Sequence, residues 1–422
     1  MRLLQTKVAD PSDRSDRSDQ SDSWSLSLSK SNSDPNTDSG HDLTDRHPWS
    51  APTQRHFTLP SVAPLRYGRI YANHPFGGLG MKPFHLAIIL SSLLMSPAHA
   101  NTHQLRQYRD PETQWLVVEA KHGGTVASLI PEAGCNLFSI VYRDTELLKQ
   151  PGTIANVNGT GCGTPILYPT PNRVRNASFT FDGQTFHFPP NNGPNFIHGL
   201  VHNVPWTLQS VEHTPVQTEI LCSLDFTPGS RRYELFPITH TIFMRVTIRE
   251  GAVSWKYTVQ NRSAEHRLPF GLGLHPWFLY QKGGRPQTLL TVPATHWMES
   301  EQMLPSGRLI PLEETELDAR QKRTLEGFVI DDVYYGLAPD QPTIVQFPQN
   351  DLEVRFSASP EFKHLVVYTP AEQPWFCIEN QTCSTDAHNL FTQGLTTESG
   401  LQIVPPGATA SGEVTYSFGR CR

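Results

Sequence analysis

From about Gln114 onward the chain is a succession of short β-type runs separated by Gly, Pro and Asn, with helical periodicity nearly absent. This pattern constrains the fold more than any other feature. Runs of four to eleven residues of this type bury one face each, and a core then forms only by packing sheet on sheet or by closing a sheet on itself. Such runs cover residues 115–119, 125–130, 137–142, 178–181, 185–188, 239–249, 253–259, 344–347, 352–356, 365–368, 376–379 and 401–404. Asp182-Gly183 between alternating phenylalanines predicts a tight hairpin, because both turn positions must accept positive φ. Glu250-Gly251 predicts a second, longer one. Only residues 312–325, rich in Glu, Leu, Arg and Lys, suggest a short helix. With 36 prolines and no fixed repeat, the reading is an all-β sandwich or barrel rather than a βαβ sheet or a propeller.

The first hundred residues differ from this body. Residues 1–80 open on a repeated Ser-Asp-Arg unit and continue in Ser, Asp, Asn and Pro, a composition that buries too little apolar surface to offset the entropy of ordering. Met81-Lys82, an apolar run from Phe84 to Met95 and the ending Ala98-His99-Ala100 have the form of a secretory signal peptide. The run is shorter than the roughly 20 residues of a bilayer-spanning helix, so no stable membrane anchor is expected. We expect translation to begin at Met81, residues 1–80 to be upstream sequence, and the mature domain to occupy 101–422 in an exported location such as a bacterial periplasm. The alternative is an internal apolar segment of a cytosolic protein.

Residues 101–422 carry 24 Lys+Arg against 31 Asp+Glu, with no basic stripe, which argues against a nucleic-acid partner. All six cysteines (Cys135, Cys162, Cys222, Cys377, Cys383 and Cys421) lie there. Six allow 15 pairings, of which the sequence selects none, and buried free thiols are as compatible with it as bridges. No Cys-x-x-Cys spacing of a structural zinc site occurs. Nothing specifies an oligomeric state.

Four segments set polar residues among Gly, Pro and aromatics. Asn172-Arg173 follows an apolar strand; the Arg donors suit sugar hydroxyls or a carboxylate, or simply loop carbonyls. His198-Gly199 and His275 of Gly271-Leu272-Gly273-Leu274-His275-Pro276-Trp277 are titratable groups beside glycines, either functional or hydrogen-bonded core residues. The two glycines before His275 let the backbone approach something closely. Glu379, in Trp375-Phe376-Cys377-Ile378-Glu379-Asn380-Gln381, shares a strand face with Cys377, and a half-buried carboxylate there fits a general base. Asp331-Asp332 is a fifth candidate, although paired aspartates at a loop are more often caps.

Taken in order, these segments resemble the aldose 1-epimerase (galactose mutarotase-like) family over most of 115–415. Pro171-Asn172-Arg173-Val174, Ile197-His198-Gly199, Gly273-Leu274-His275-Pro276, the Phe376–Gln381 segment and the later Asp386-Ala387 carry the resemblance. It implies a large antiparallel β-supersandwich with few short helices and an open sugar cleft. It further implies that Glu379 is the general base and His275 the general acid, with Arg173, His198, Asn172 and one aspartate binding sugar hydroxyls. Spacing to the following aromatic favours Asp331 over Asp332. A family glutamine near Thr369-Pro370 has no clear counterpart.

The implied reaction removes the C1 hydroxyl proton, protonates the ring oxygen, and recloses the ring after rotation about C1–C2. One base and one acid on opposite sides of the sugar suffice, with Glu379 setting the acid limb of the pH profile and His275 the alkaline limb. No metal, nucleotide or other cofactor is called for. The competing readings are a glycoside hydrolase or lyase on a similar sandwich, which typically needs two facing carboxylates, and a sugar-binding sensor without catalysis.

Overall fold

The structure is a computed structural model that describes residues 102–422 except Asn158. The expected low-complexity segment 1–80, the signal peptide 81–100 and the mature terminus at Asn101 lie outside the described residues. Within them the regular structure is mostly antiparallel sheet, with a few short helices such as Arg231–Leu235 and Ala387–Thr392.

Two sheets dominate. One has nine strands, centred on His240–Arg249, Ala252–Asn261, Thr409–Gly419 and Leu352–Ala358. The other has eight, with Asp331–Tyr335, His364–Tyr368 and Trp375–Gln381 side by side in its middle. A five-stranded sheet over His103–Glu146 meets the first through the His240–Arg249 strand.

The core lies between the two large sheets. Phe278 of the eight-stranded sheet meets Phe356 of the nine-stranded one edge-on at 5.2 Å and Tyr416 at 5.9 Å, while Phe376 meets Phe347 at 6.4 Å. Their inner faces also contribute Ile242, Met244, Val246, Leu365, Val367 and Ile378, all at 0 % exposure, to one continuous cluster. Burying an aliphatic or aromatic side chain of this kind stabilises by about 1.5–3 kcal/mol. This sheet-on-sheet arrangement is the supersandwich expected.

The Asp182-Gly183 hairpin forms between Ser178–Phe181 and Gln184–His187, with φ of 51° and 78° at the two turn residues and Phe179 stacked on Phe186 at 4.7 Å. The helix expected over 312–325 does not form. Leu312–Glu314 is a single 3-10 turn, and Arg323–Thr324 is already a strand. Thr315 donates its hydroxyl to the Leu312 carbonyl and accepts from the Leu317 amide, and Asp318 accepts from the Arg320 amide. Such local side-chain bonds compete with helical pairing, while Leu312, Ala319 and Leu325 anchor the segment in the core. All six cysteines are free thiols.

Candidate active site

The Trp375–Gln381 strand turns Phe376 and Ile378 toward the core, so its alternation points Cys377 and Glu379 to the opposite face. Cross-strand pairing extends that face. Asp331 sits opposite Tyr368, Tyr368 opposite Cys377, and Cys377 opposite Trp277. Asp332 falls in the row of Val367 and Ile378, and Val333 and Val366 lead to Glu379 in the row beyond. Directly paired residues project to the same side, so Asp331 joins Glu379 while Asp332 turns away and accepts from Trp297 Nε1 at 2.8 Å. The two aspartates are therefore not a loop pair, as their sequence suggested. They open the Asp331–Tyr335 strand, and its pleat separates them.

The other half of the site comes from loops laced across this face. Arg173, in a two-residue strand, pairs with Ile197, and the His198 amide donates to the Asn172 carbonyl at 3.0 Å. Asn172 Oδ1 accepts from both the amide and Nη1 of Arg173, and Asn192 Oδ1 accepts from its Nε at 3.0 Å. These bonds fix the guanidinium with one edge committed. Asp386 holds the same segment from below: its amide donates to the Arg173 carbonyl, and its carboxylate accepts from the Arg175 amide at 3.0 Å. Gly199 has φ 73° and lies against the Tyr168 backbone, so a Cβ there would collide with the Tyr168 carbonyl. The close approach allowed by Gly271 is to Pro171 and Cys383, a packing contact between segments rather than one with a ligand.

Asn172, Arg173, His198, His275, Asp331 and Glu379 together line one cavity of about 220 Å³. Thr160, Ile197, Trp277 and Tyr368 complete it. That volume lies below the roughly 300–1,000 Å³ of drug-sized sites and suits one small polar ligand. His275 Nε2 is 3.4 Å from Glu379 Oε1, and the other carboxylate oxygen accepts from Gln381 Nε2 at 3.1 Å. The His275 ring lies parallel to Trp277 at 5.0 Å and edge-on to His198 at 5.2 Å. The acid–base candidates are thus neighbours, not groups facing each other across the cavity.

Burial governs the charges here. Removal from water, reinforced by the Asp331 charge, pushes the Glu379 carboxyl well above the usual carboxylate range. It also pulls His275 down to about 3. His198 is held well below its ordinary value, first by burial and then by His275, His202 and Arg173. Asp331 is raised by burial, with Arg173 opposing. The cavity floor is therefore poised for proton exchange, with Arg173 as its fixed positive charge.

Of the aromatics after His275, whose faces suit a sugar ring, Trp277 lines the cavity; sequence reasoning missed Tyr368 and Thr160, and Tyr368 needed the cross-strand register. Thr369, where a family glutamine was sought, donates to the Phe328 carbonyl and belongs to the scaffold.

Comparison with known proteins agrees with this fold. The family described as aldose 1-epimerase matches residues 116–417. The uncharacterized protein YphB of Escherichia coli K12 is 25 % identical over 285 residues, 65 % of this chain and 89 % of its own length. The galactose mutarotase of Rattus norvegicus is 27 % identical over 157 residues, 36 % of this chain and 43 % of its own length. A galactose mutarotase-like protein from Clostridium acetobutylicum superposes with a TM-score of 0.67 at 19 % identity, covering 76 % of this chain and 99 % of its own.

Proposed function

The chain belongs to the aldose 1-epimerase family, and from that premise we propose that it is a mutarotase interconverting the α and β anomers of a free aldose. The observation that carries this reading is the buried His275–Glu379 pair, 3.4 Å apart at the floor of a polar cavity.

In a cyclic aldose the C1 hydroxyl oxygen and the ring oxygen are both bonded to C1. Two adjacent groups can therefore serve both atoms from one side of the sugar. Glu379 takes the C1 hydroxyl proton as His275 donates one to the ring oxygen, and the C1–ring-oxygen bond opens to the aldehyde. Rotation about C1–C2 presents the other carbonyl face, and on reclosure His275 takes the proton of the attacking hydroxyl while Glu379 returns its proton to the C1 oxygen. Each positioned transfer typically contributes 10²–10⁴-fold. Arg173, His198, Asn172 and Asp331 hold the remaining hydroxyls. No step calls on a cofactor.

Anomeric NMR or polarimetry of the purified protein with a panel of aldoses tests the reading. Equilibration well above the spontaneous rate for at least one sugar is expected; binding without acceleration would leave a sugar sensor instead. Asp331 gives the cavity a second carboxylate, the feature a glycoside hydrolase needs. Methyl glycosides of the same sugars should remain uncleaved, and release of methanol would favour hydrolysis.

A further inference from the structure

Directly beneath the cavity, the free thiol of Cys377 completes a group that mutarotation does not use. One nitrogen of His275, Sγ of Cys377 and a carboxylate oxygen of Glu379 all lie within 4.8 Å of one another. Cys377 and Glu379 stand two residues apart on one strand face, and His275 lies between Gly273, paired with Gln381, and Trp277, paired with Cys377. The three donors are thus set by a single hydrogen-bonded ladder. Cys377 is fully buried and does not line the cavity, whereas His275 and Glu379 do.

Zinc binds sulfur at about 2.3 Å and nitrogen or oxygen at about 2.0–2.2 Å, so donors around a tetrahedral ion stand roughly 3.3–3.7 Å apart. The 3.4 Å between His275 Nε2 and Glu379 Oε1 already matches such an edge. Closing the sulfur to the same spacing takes a shift of about an ångström or less. Three protein ligands with the fourth position open to a cavity is an open-site arrangement, and a thiolate–imidazole–carboxylate set selects zinc or cadmium over calcium or magnesium. Gln381 already orients the second Glu379 oxygen, leaving Oε1 free. His275 Nδ1, by contrast, makes no hydrogen bond among the described residues. That missing support makes for a reversible site rather than a structural one.

We propose that His275, Cys377 and Glu379 form an inhibitory site for a thiophilic divalent cation, which occupies the cavity floor and excludes the sugar. Metal–sulfur and metal–oxygen bonds replace any protons on the thiol and carboxyl, which pass to solvent; no electron transfer occurs. The inhibitory consequence rests on His275 and Glu379 being the acid–base pair, but the binding itself does not.

The test uses the mature protein with cobalt and zinc alone. Cobalt is expected to give a thiolate-to-metal charge-transfer absorption, removed by zinc and absent from Cys377→Ala and Cys377→Ser, while Cys162→Ser retains it. Zinc should suppress mutarotation competitively with sugar and EDTA should restore it. The Cys377 variants should keep metal-free activity and need about tenfold or more zinc for the same inhibition. No charge-transfer band, or one that survives Cys377→Ala, overturns the site. A band that depends on Cys377 in a protein without mutarotation upholds the metal site and overturns only the proposed activity.

Discussion

His275 Nε2 lies 3.4 Å from Glu379 Oε1, with both side chains shut away from water. Two ionisable groups at that separation are close enough to titrate as a pair. Burial raises the carboxyl and lowers the imidazole, so the singly protonated pair rests mostly as neutral acid beside neutral ring. The tautomer with Glu379 ionised and His275 protonated carries the same number of protons and is the one the proposed reaction uses.

The pH profile of kcat/KM should therefore be bell-shaped with its limbs exchanged from the simple expectation. The acid limb follows protonation of His275, displaced downward toward about 3. The alkaline limb follows loss of the shared proton from Glu379, displaced upward. Profiles of the wild type carried down to about pH 2.5 and up to about pH 10, with carboxyl protonation of Glu379 followed by infrared difference spectroscopy, check this. A carboxyl fully ionised at the optimum would contradict it.

Glu379→Gln and His275→Asn should each lower kcat by about two orders of magnitude or more while circular dichroism stays unchanged. The double variant should be only slightly worse than the worse single, because the groups act on one coupled proton exchange. Near-normal rates in Glu379→Gln would move the search for the base to Asp331.

The pleat makes Asp331 and Asp332 distinguishable by kinetics. Asp331→Asn and Arg173→Ala should weaken sugar binding and raise KM, as changes in the cavity lining do. Asp332→Ala should leave KM and kcat near normal but cost about 1–3 kcal/mol in denaturant unfolding, because the Trp297 indole loses its acceptor.

His240 predicts an acid sensitivity that has nothing to do with catalysis. It is fully buried, stacked on Phe226 at 4.1 Å, and burial lowers it from 6.5 to about 3. Below 6.5 the unfolded chain takes up a proton that the folded ring refuses, so its contribution to stability is intact above that pH and lost as pH falls toward 3. Relative to His240→Gln, the wild type should lose about 1.4 kcal/mol more per pH unit between about pH 6 and 4, read from urea unfolding.

We propose, from the Met81–Ala100 pattern, that the protein is exported and cleaved to a mature N-terminus at Asn101. Mass spectrometry of the protein from its native host should find no peptides from residues 1–80; finding them in exported protein would reject both the start site and the cleavage.

The sandwich and most of the lining were legible because period-two alternation and turn chemistry are local. Glu379, His275, Arg173 and His198 sit in short, unusual motifs. What was not legible depended on register. Asp331 and Asp332 look equivalent until their strand is paired with His364–Tyr368, and adjacency of His275 to Glu379 needed the pairing of Gly273 with Gln381. The Thr409–Gly419 strand, central to the nine-stranded sheet, offers only Val414, Tyr416 and Phe418 as large apolar residues, after two small ones and a glycine. The mistaken helix at 312–325 came from favouring propensity over the local bonds of Thr315 and Asp318.

Along Trp375–Gln381, Phe376 and Ile378 answer to packing, while Glu379 on the opposite face reaches the cavity. Substrate preference can therefore drift through the neighbouring cavity residues Tyr368 and Trp277 while Phe376 and Ile378 stay fixed. The same interleaving makes the segment intolerant of length change. Inserting or deleting one residue before Glu379 would thrust a carboxylate between the sheets and put Ile378 under the sugar, losing fold and activity in a single step.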